Sequence, residues 1–165
     1  MGATLLHSAL EFAESTHNMP AVFENFGVRL MYPDNWQITD LDATGTPYAF
    51  TLQSQETAYW TLYIYPPGHE VRPKVKEIVE SLQDEYKEVE VLPTEEEIGD
   101  ATTKGVDLAF FYLDLLVEAK IRTLRTPSAT LIWHYQAESR EFEQREPVFK
   151  AIATSMLQQL VPLDD

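Results

Sequence analysis

The chain contains no cysteine. That excludes a disulfide scaffold, a thiolate nucleophile and any zinc site built on sulfur ligands. Glycine is scarce, 6 in 165 residues and nowhere clustered, so there is no glycine-rich loop to cradle a phosphate. Positive charge is also scarce. Twelve lysines and arginines stand against 27 acidic residues, for a formal charge of -15. Such a field repels phosphate backbones and anionic lipid surfaces, so no nucleic-acid partner is expected. A protein partner with a basic surface remains compatible with it. Long apolar runs are missing: none approaches the ~20 residues of a membrane-spanning helix. Residues Met1 to Leu10 lack a basic leader and a long enough apolar stretch for a secretory signal, which favours a cytoplasmic location.

Chemistry-bearing motifs are absent as well. The four histidines, His7, His17, His69 and His134, form no H-x-H or H-x-x-x-H pair, so no local metal site is expected. No serine stands in a G-x-S-x-G elbow, so a catalytic triad has no nucleophile. Glu95, Glu96, Glu97 and Asp100 lack the alternating oxygen spacing and the glycine of a calcium loop; they read as a solvated acidic loop. The sequence therefore points to no catalytic residue, no cofactor and no metal.

What is present is enough to fold. A hydrophobic content of 44% suffices for a core without covalent staples, and the length suits a single domain over 1–165. Leu6, Leu10 and Ala13 recur at helical spacing, which predicts an N-terminal helical extension over 1–20, ending before Met19-Pro20. Ala21 to Phe23 and Val28 to Tyr32 read as strands joined through Asn25-Phe26-Gly27. Trp36 to Thr39 reads as a short extended piece and Asp40 to Pro47 as a loop. The clearest strands are Tyr48 to Gln53 and Ala58 to Tyr65, rich in β-branched and aromatic residues and closed by Pro66-Pro67-Gly68.

Val71, Val75, Ile78, Val79, Leu82 and Tyr86 recur every three or four residues. That predicts an amphipathic helix with Pro73 in its first turn. Val89 to Leu92 reads as a short strand. Strand-like runs then follow over Val106 to Leu113, Val117 to Arg125 and Ala129 to Gln136. The join at Asp114-Leu115-Leu116 has no Gly or Pro, so one long bulged strand is an alternative there. Phe142, Phe149, Ile152, Met156 and Leu160 predict a closing helix. Because Pro147 removes an interior hydrogen bond, a first turn near Arg140 to Arg145 and a main helix from Pro147 are expected. Strands outnumber helices and run in neighbouring pairs, so the fold class is α+β: an antiparallel sheet with helices on its faces.

Gly27-Val28-Arg29-Leu30-Met31-Tyr32-Pro33-Asp34-Asn35-Trp36 resembles the G-x-x-x-x-x-P-x-x-W opening of the PsbP-like superfamily, shared with Mog-type Ran-binding and DcrB-like proteins. Phe149 followed by Ile152-Ala153-Thr154-Ser155-Met156 is similar to that superfamily's closing helix, with Met156 where Phe is usual. The resemblance runs from about Phe23 to Leu157. It implies an α/β/α sandwich whose members mostly bind other proteins. No residue of the photosystem or Ran-binding branches is carried over.

One stripe has the composition of a recognition surface. Period two along Tyr59-Trp60-Thr61-Leu62-Tyr63-Ile64-Tyr65 puts Trp60, Leu62 and Ile64 on a core face. It puts Tyr59, Thr61, Tyr63 and Tyr65 on the other, where aromatic area and hydroxyls combine as they do at interfaces. The bland reading is that a helix covers this second face. His134 lies in the strand-like run Ala129 to Gln136, on one face with Ile132 and Gln136. The candidate partner-binding residues are therefore Tyr59, Thr61, Tyr63, Tyr65 and His134. Trp60, Leu62, Ile64, Ile78, Leu82, Phe149 and Ile152 are expected in one contiguous core. The leading functional expectation is a non-enzymatic protein-binding or chaperone-like module. A small-molecule carrier or enzyme with a pocket near the tyrosine face and His134 is the alternative. A homodimer through a sheet edge or that same face is a third.

Overall fold

The structure, a computed structural model, describes residues 20–160. The helix expected over 1–20 lies outside them, apart from Pro20, which opens a strand. Strands β1 (Pro20–Asn25) and β2 (Val28–Pro33) form a separate hairpin. Its turn residues Phe26 and Gly27 both have positive φ, 56° and 82°. That turn geometry matches the right-handed twist of paired strands.

The main sheet has seven strands. They are β3 (Gln37–Asp42), β4 (Tyr48–Gln53), β5 (Tyr59–Tyr65), β6 (Glu90–Ile98), β7 (Ala101–Tyr112), β8 (Leu115–Arg125) and β9 (Thr130–Glu138). Their spatial order is β3-β4-β5-β9-β8-β7-β6, with every neighbouring pair antiparallel. Helix α1 (Arg72–Glu85) packs on one face. Helix α2 (Ser139–Leu157) packs on the other, together with the β1–β2 hairpin.

Two cores result where the sequence suggested one. Trp60, Leu62, Ile64, Phe149 and Ile152 lie together under α2, while Ile78 and Leu82 belong to a second cluster under α1 with Leu108, Phe110, Ala119, Ile121 and Ile132. All seven expected residues are buried. The sheet itself separates them, because period two sends alternate side chains of each strand to opposite faces.

Two local expectations and one local alternative are corrected. The acidic stretch is not a loop: β6 continues to Ile98, and Glu96 turns inward, where its Oε1 accepts from Arg122 Nε at 2.8 Å. The cross-sheet arginine supplies the partner that makes a glutamate acceptable in that strand. Helix α2 runs unbroken through Pro147. Glu143, whose carbonyl loses the proline's missing N–H, is exposed, as Pro147 is, so water can serve that oxygen. Between β7 and β8 the chain makes a tight turn at Leu113-Asp114, with φ of 49° and 66°, rather than continuing as a bulged strand.

Polar groups pin the elements to one another. Glu138 caps α2, accepting from the Arg140 and Glu141 backbone N–H groups at 3.0 and 3.3 Å. Glu141, buried at 4% exposure, accepts from the Ser54 hydroxyl at 2.9 Å and from the Thr57 N–H at 2.6 Å. Its carboxylate thereby ties the β4–β5 turn to the start of α2. At the open edge of the sheet, β6 carries Pro93 and four glutamates, features that discourage pairing with a further strand.

Candidate functional site

Tyr59, Thr61, Tyr63 and Tyr65 all emerge on the α1 face of β5, each half-buried. His134 joins them from β9, directly across from Thr61 in the ladder. The five candidates thus share one surface, and α1 covers much of it. Lys74 Nζ sits 4.6 Å above the centre of the Tyr63 ring. Tyr65 stacks on His69 with ring centres 4.1 Å apart. The Thr61 hydroxyl lies 2.7 Å from that of Thr51 on β4.

His134 is buried at 7% exposure. Its Nε2 is 3.0 Å from the Gln136 side-chain oxygen, and Tyr59 meets its ring edge-on at 5.5 Å. Burial pulls its pKa down to about 4, against a smaller upward pull from Gln136. The ring is therefore neutral near pH 7. The phenols move the other way. Burial, then Glu77 and Tyr63, push Tyr65 up to about 12. Burial first, then Tyr63, Tyr86 and Glu85, raises Tyr59. These hydroxyls keep their protons and present neutral polar tips.

The aromatic surface continues past β5. Tyr86, just beyond α1, stacks on Phe110 at 4.3 Å and meets Tyr112 edge-on at 5.8 Å. From there the β7–β8 hairpin projects beyond its neighbours. β6 pairs with β7 only as far as Glu90 opposite Ala109, and β9 pairs with β8 only as far as Glu138 opposite Val117. The projecting tip is apolar and open: Phe111 is 65% exposed, Tyr112 52%, Leu113 78% and Leu115 44%. Scattered exposed leucines need no explanation, but here four large apolar side chains are exposed within five residues, Tyr112 and Leu115 on the face of Tyr86 and Phe111 on the other.

The tip is absent from the residues that sequence pattern singles out. Phe110 to Leu116 is apolar except for Asp114, and alternation within such a run cannot say which side chains a sheet will cover. The signal available was the length of the run with one charge at its centre, where a turn falls. Among the described residues, no group of three or more His, Cys, Asp or Glu is placed to hold a metal ion. The arrangement offers shape, aromatic area and neutral hydroxyls.

No protein-family model matches the sequence, and no curated protein sequence matches it. Solved structures do. Cyanobacterial PsbP (CyanoP) from Synechocystis sp. PCC 6803 is 10% identical, with 82% of this chain and 90% of that one covered and a TM-score of 0.57. The Saccharomyces cerevisiae Ran-binding protein Mog1p is 10% identical, with 88% and 96% covered and a TM-score of 0.52. A Bacteroides thetaiotaomicron VPI-5482 protein is 9% identical with a TM-score of 0.56; 87% of this chain is covered and 48% of that one. This chain has the PsbP-like fold: α+β, an antiparallel sheet between helices.

Proposed function

We propose that the chain is a non-enzymatic protein-binding module. Its contact surface is the projecting β7–β8 tip, continued by Tyr86 and the Tyr59 end of the tyrosine face. One observation carries this reading: Phe111, Tyr112, Leu113 and Leu115 are all exposed at the end of the projecting hairpin. Exposing that much apolar surface carries an aggregation hazard, which a partner's apolar cleft would remove. Large aromatic and aliphatic anchors entering a pocket dominate the energetics of such contacts.

The partner's chemistry follows from the charges around the tip. Asp114 stands at its apex, Glu118 follows on β8, and Glu85, Glu88 and Glu90 lie at the end of α1 and the start of β6. A basic rim around an apolar cleft complements that set. Tyr59, Thr61, Tyr63, Tyr65 and His134 belong to this surface in graded fashion: Tyr59 nearest the open end, Tyr63 and Tyr65 under α1. The structural neighbour Mog1p is a Ran-binding protein, and a protein partner for this chain is in keeping with that likeness.

The test is a photo-crosslinker placed at Leu113 in the full chain, with capture from extracts of the source organism. Affinity for the captured protein is then measured for wild type, Phe111→Ser with Leu113→Ser, and Leu92→Ser, an exposed control on β6. The tip variant should bind at least about tenfold more weakly, and the control should bind as wild type does. The association rate should fall as salt rises. Equal affinity for all three proteins would move the contact surface elsewhere.

A further inference from the structure

A groove of about 630 Å³ runs along α1, between the helix and strands β7 and β8. Its floor includes Val71, Val75 and Val79, a stripe at four-residue spacing, with Val106 from β7. The groove follows the helix from Val71 to Gln83, about 18 Å at 1.5 Å per residue. Its volume falls within the usual range for small-molecule sites.

Its charge is unlike that of the rest of the chain. Arg72, Lys76, Lys104 and Arg125 line it, four of the chain's 12 basic residues, with Glu80 as the one acidic lining residue. The cations are gathered toward one end. Arg72 opens the helix, Arg125 closes β8, and both also line an adjoining hollow of about 550 Å³ with His69 and Glu70. Lys76 follows one turn along α1, 3.6 Å from Glu80. Lys104 lies on β7 opposite Thr123. Beyond them the walls are Val79, Val106 and Gln83. The groove is thus cationic at its start and, further in, lined by Val79 and Val106 beside Glu80 and Gln83.

We propose that this groove binds one single-chain amphiphile carrying a single anionic headgroup, a carboxylate or a phosphate monoester. The head sits between Arg72 and Arg125, and the aliphatic tail lies along Val75, Val79 and Val106. The polarity of the lining excludes the nearest competitor. An acidic peptide spreads its charge along its length and would meet Glu80, as well as Glu95 and Glu97 on β6, which pair across from Lys104 and Thr102. Of the described residues lining the adjoining hollow at the arginine end, Glu70 is the acid that a single head would meet. The amphiphile is taken as a monomer, because a chain of net charge -15 is repelled by an anionic bilayer. His134 does not line the groove, and the site is independent of the hairpin tip.

The experiment is titration calorimetry with dodecyl phosphate and dodecanoate below their micelle concentrations. Dodecyl maltoside, dodecyltrimethylammonium, inorganic phosphate, an acidic decapeptide and anionic vesicles are run alongside. One molecule of each anionic amphiphile should bind per chain, at least about tenfold more tightly than the neutral, cationic or tailless compounds. Arg72→Ser with Arg125→Ser should weaken binding at least about tenfold. Val75→Trp should abolish it by filling the floor, and Thr102→Trp, at an exposed position by the mouth, serves if Val75→Trp does not fold. Equal binding of phosphate and maltoside headgroups, indifference to the arginine or tryptophan variants, tighter binding of the peptide, or binding to vesicles alone would each overturn the proposal.

Discussion

The backbone N–H of Met31 donates to the Ser155 hydroxyl at 2.9 Å, and Ser155 in turn donates to the Ile152 carbonyl at 2.8 Å. The contact joins the β1–β2 hairpin to α2 across 124 residues of sequence. Trp36 and Phe149 meet edge-on at 6.0 Å in the same interface. The two segments whose sequences resemble the PsbP-like superfamily are therefore in direct contact, and the serine between Thr154 and Met156 has a physical role.

Ser155→Ala should destabilise the protein by about 1–3 kcal/mol, since it leaves a buried N–H without its acceptor. Ser155→Thr retains the hydroxyl but adds a methyl to a site only 2% exposed, so it should also cost stability. Urea unfolding midpoints of the three proteins check this. Wild-type stability in Ser155→Ala would mean that the hairpin is not anchored at this point.

Gly105 lies across the β7–β8 ladder from Arg122, and a Cβ on it would collide with the Ile121 carbonyl oxygen. The arginine is 1% exposed and pairs with Glu96 and Asp107, each at 2.8 Å. Gly105→Ala should cost about 1–3 kcal/mol through forced backbone displacement. Arg122→Ala should cost about 3 kcal/mol, the lower end for a broken buried pair, because both carboxylates it leaves keep some contact with water. Arg122→Met should cost less than Arg122→Ala, as it refills the volume. A methionine variant less stable than the alanine one would contradict this account.

His134 gives a signed pH dependence. The unfolded chain takes up a proton near pH 6.5, and the folded one refuses it until about 4. The unfolded state thus binds more protons between these values, so stability falls as pH drops from 6.5 towards 4 and does not change with this group above 6.5. The loss from pH 7 to 4.5 should be about 2–3 kcal/mol. The same two-pH comparison on His134→Gln isolates this residue from the carboxylates. An unchanged acid sensitivity in that variant would show that His134 is not the group responsible.

Leu113 adopts φ of 49° at 78% exposure, a conformation that costs a leucine energy while its side chain is buried against nothing. Leu113→Gly should leave stability unchanged or raise it by up to about 1 kcal/mol. The same variant should bind the proposed partner less tightly. Melting temperature and affinity measured together decide it. A marked fall in melting temperature would mean that the leucine is held by contacts within the chain.

Local pattern carried much of this fold. Tyr48–Gln53 is a strand over the range read from composition, and in the α1 stripe Ile78 and Leu82 are buried as their spacing implies, with Val75 and Val79 half-buried. The period-two split of β5 is borne out: Trp60 is fully buried and Tyr63 lies on the opposite face. These features depend on backbone periodicity and on neighbours a few residues away, which a sequence states directly. Apart from the helix break expected at Pro147, the expectations that failed involve distant partners. Glu96 became a strand residue because Arg122, 26 positions later, lies beside it. The core divided in two because the sheet passes between Trp60 and Ile78. Leu113 and Asp114 became a projecting turn because β6 and β9 stop pairing before it is reached.

The sequence by itself determined the strands, the two helical stripes, the acidic balance and the absence of sulfur chemistry, since each is a property of composition or of short-range spacing. Only the tertiary structure decided which apolar residues remain uncovered and which cations gather at the α1 groove. Exposure and charge clustering are set by what packs alongside, and residues that the sheet order brings together are far apart along the chain, as the pairing of Tyr59 with Gln136 shows.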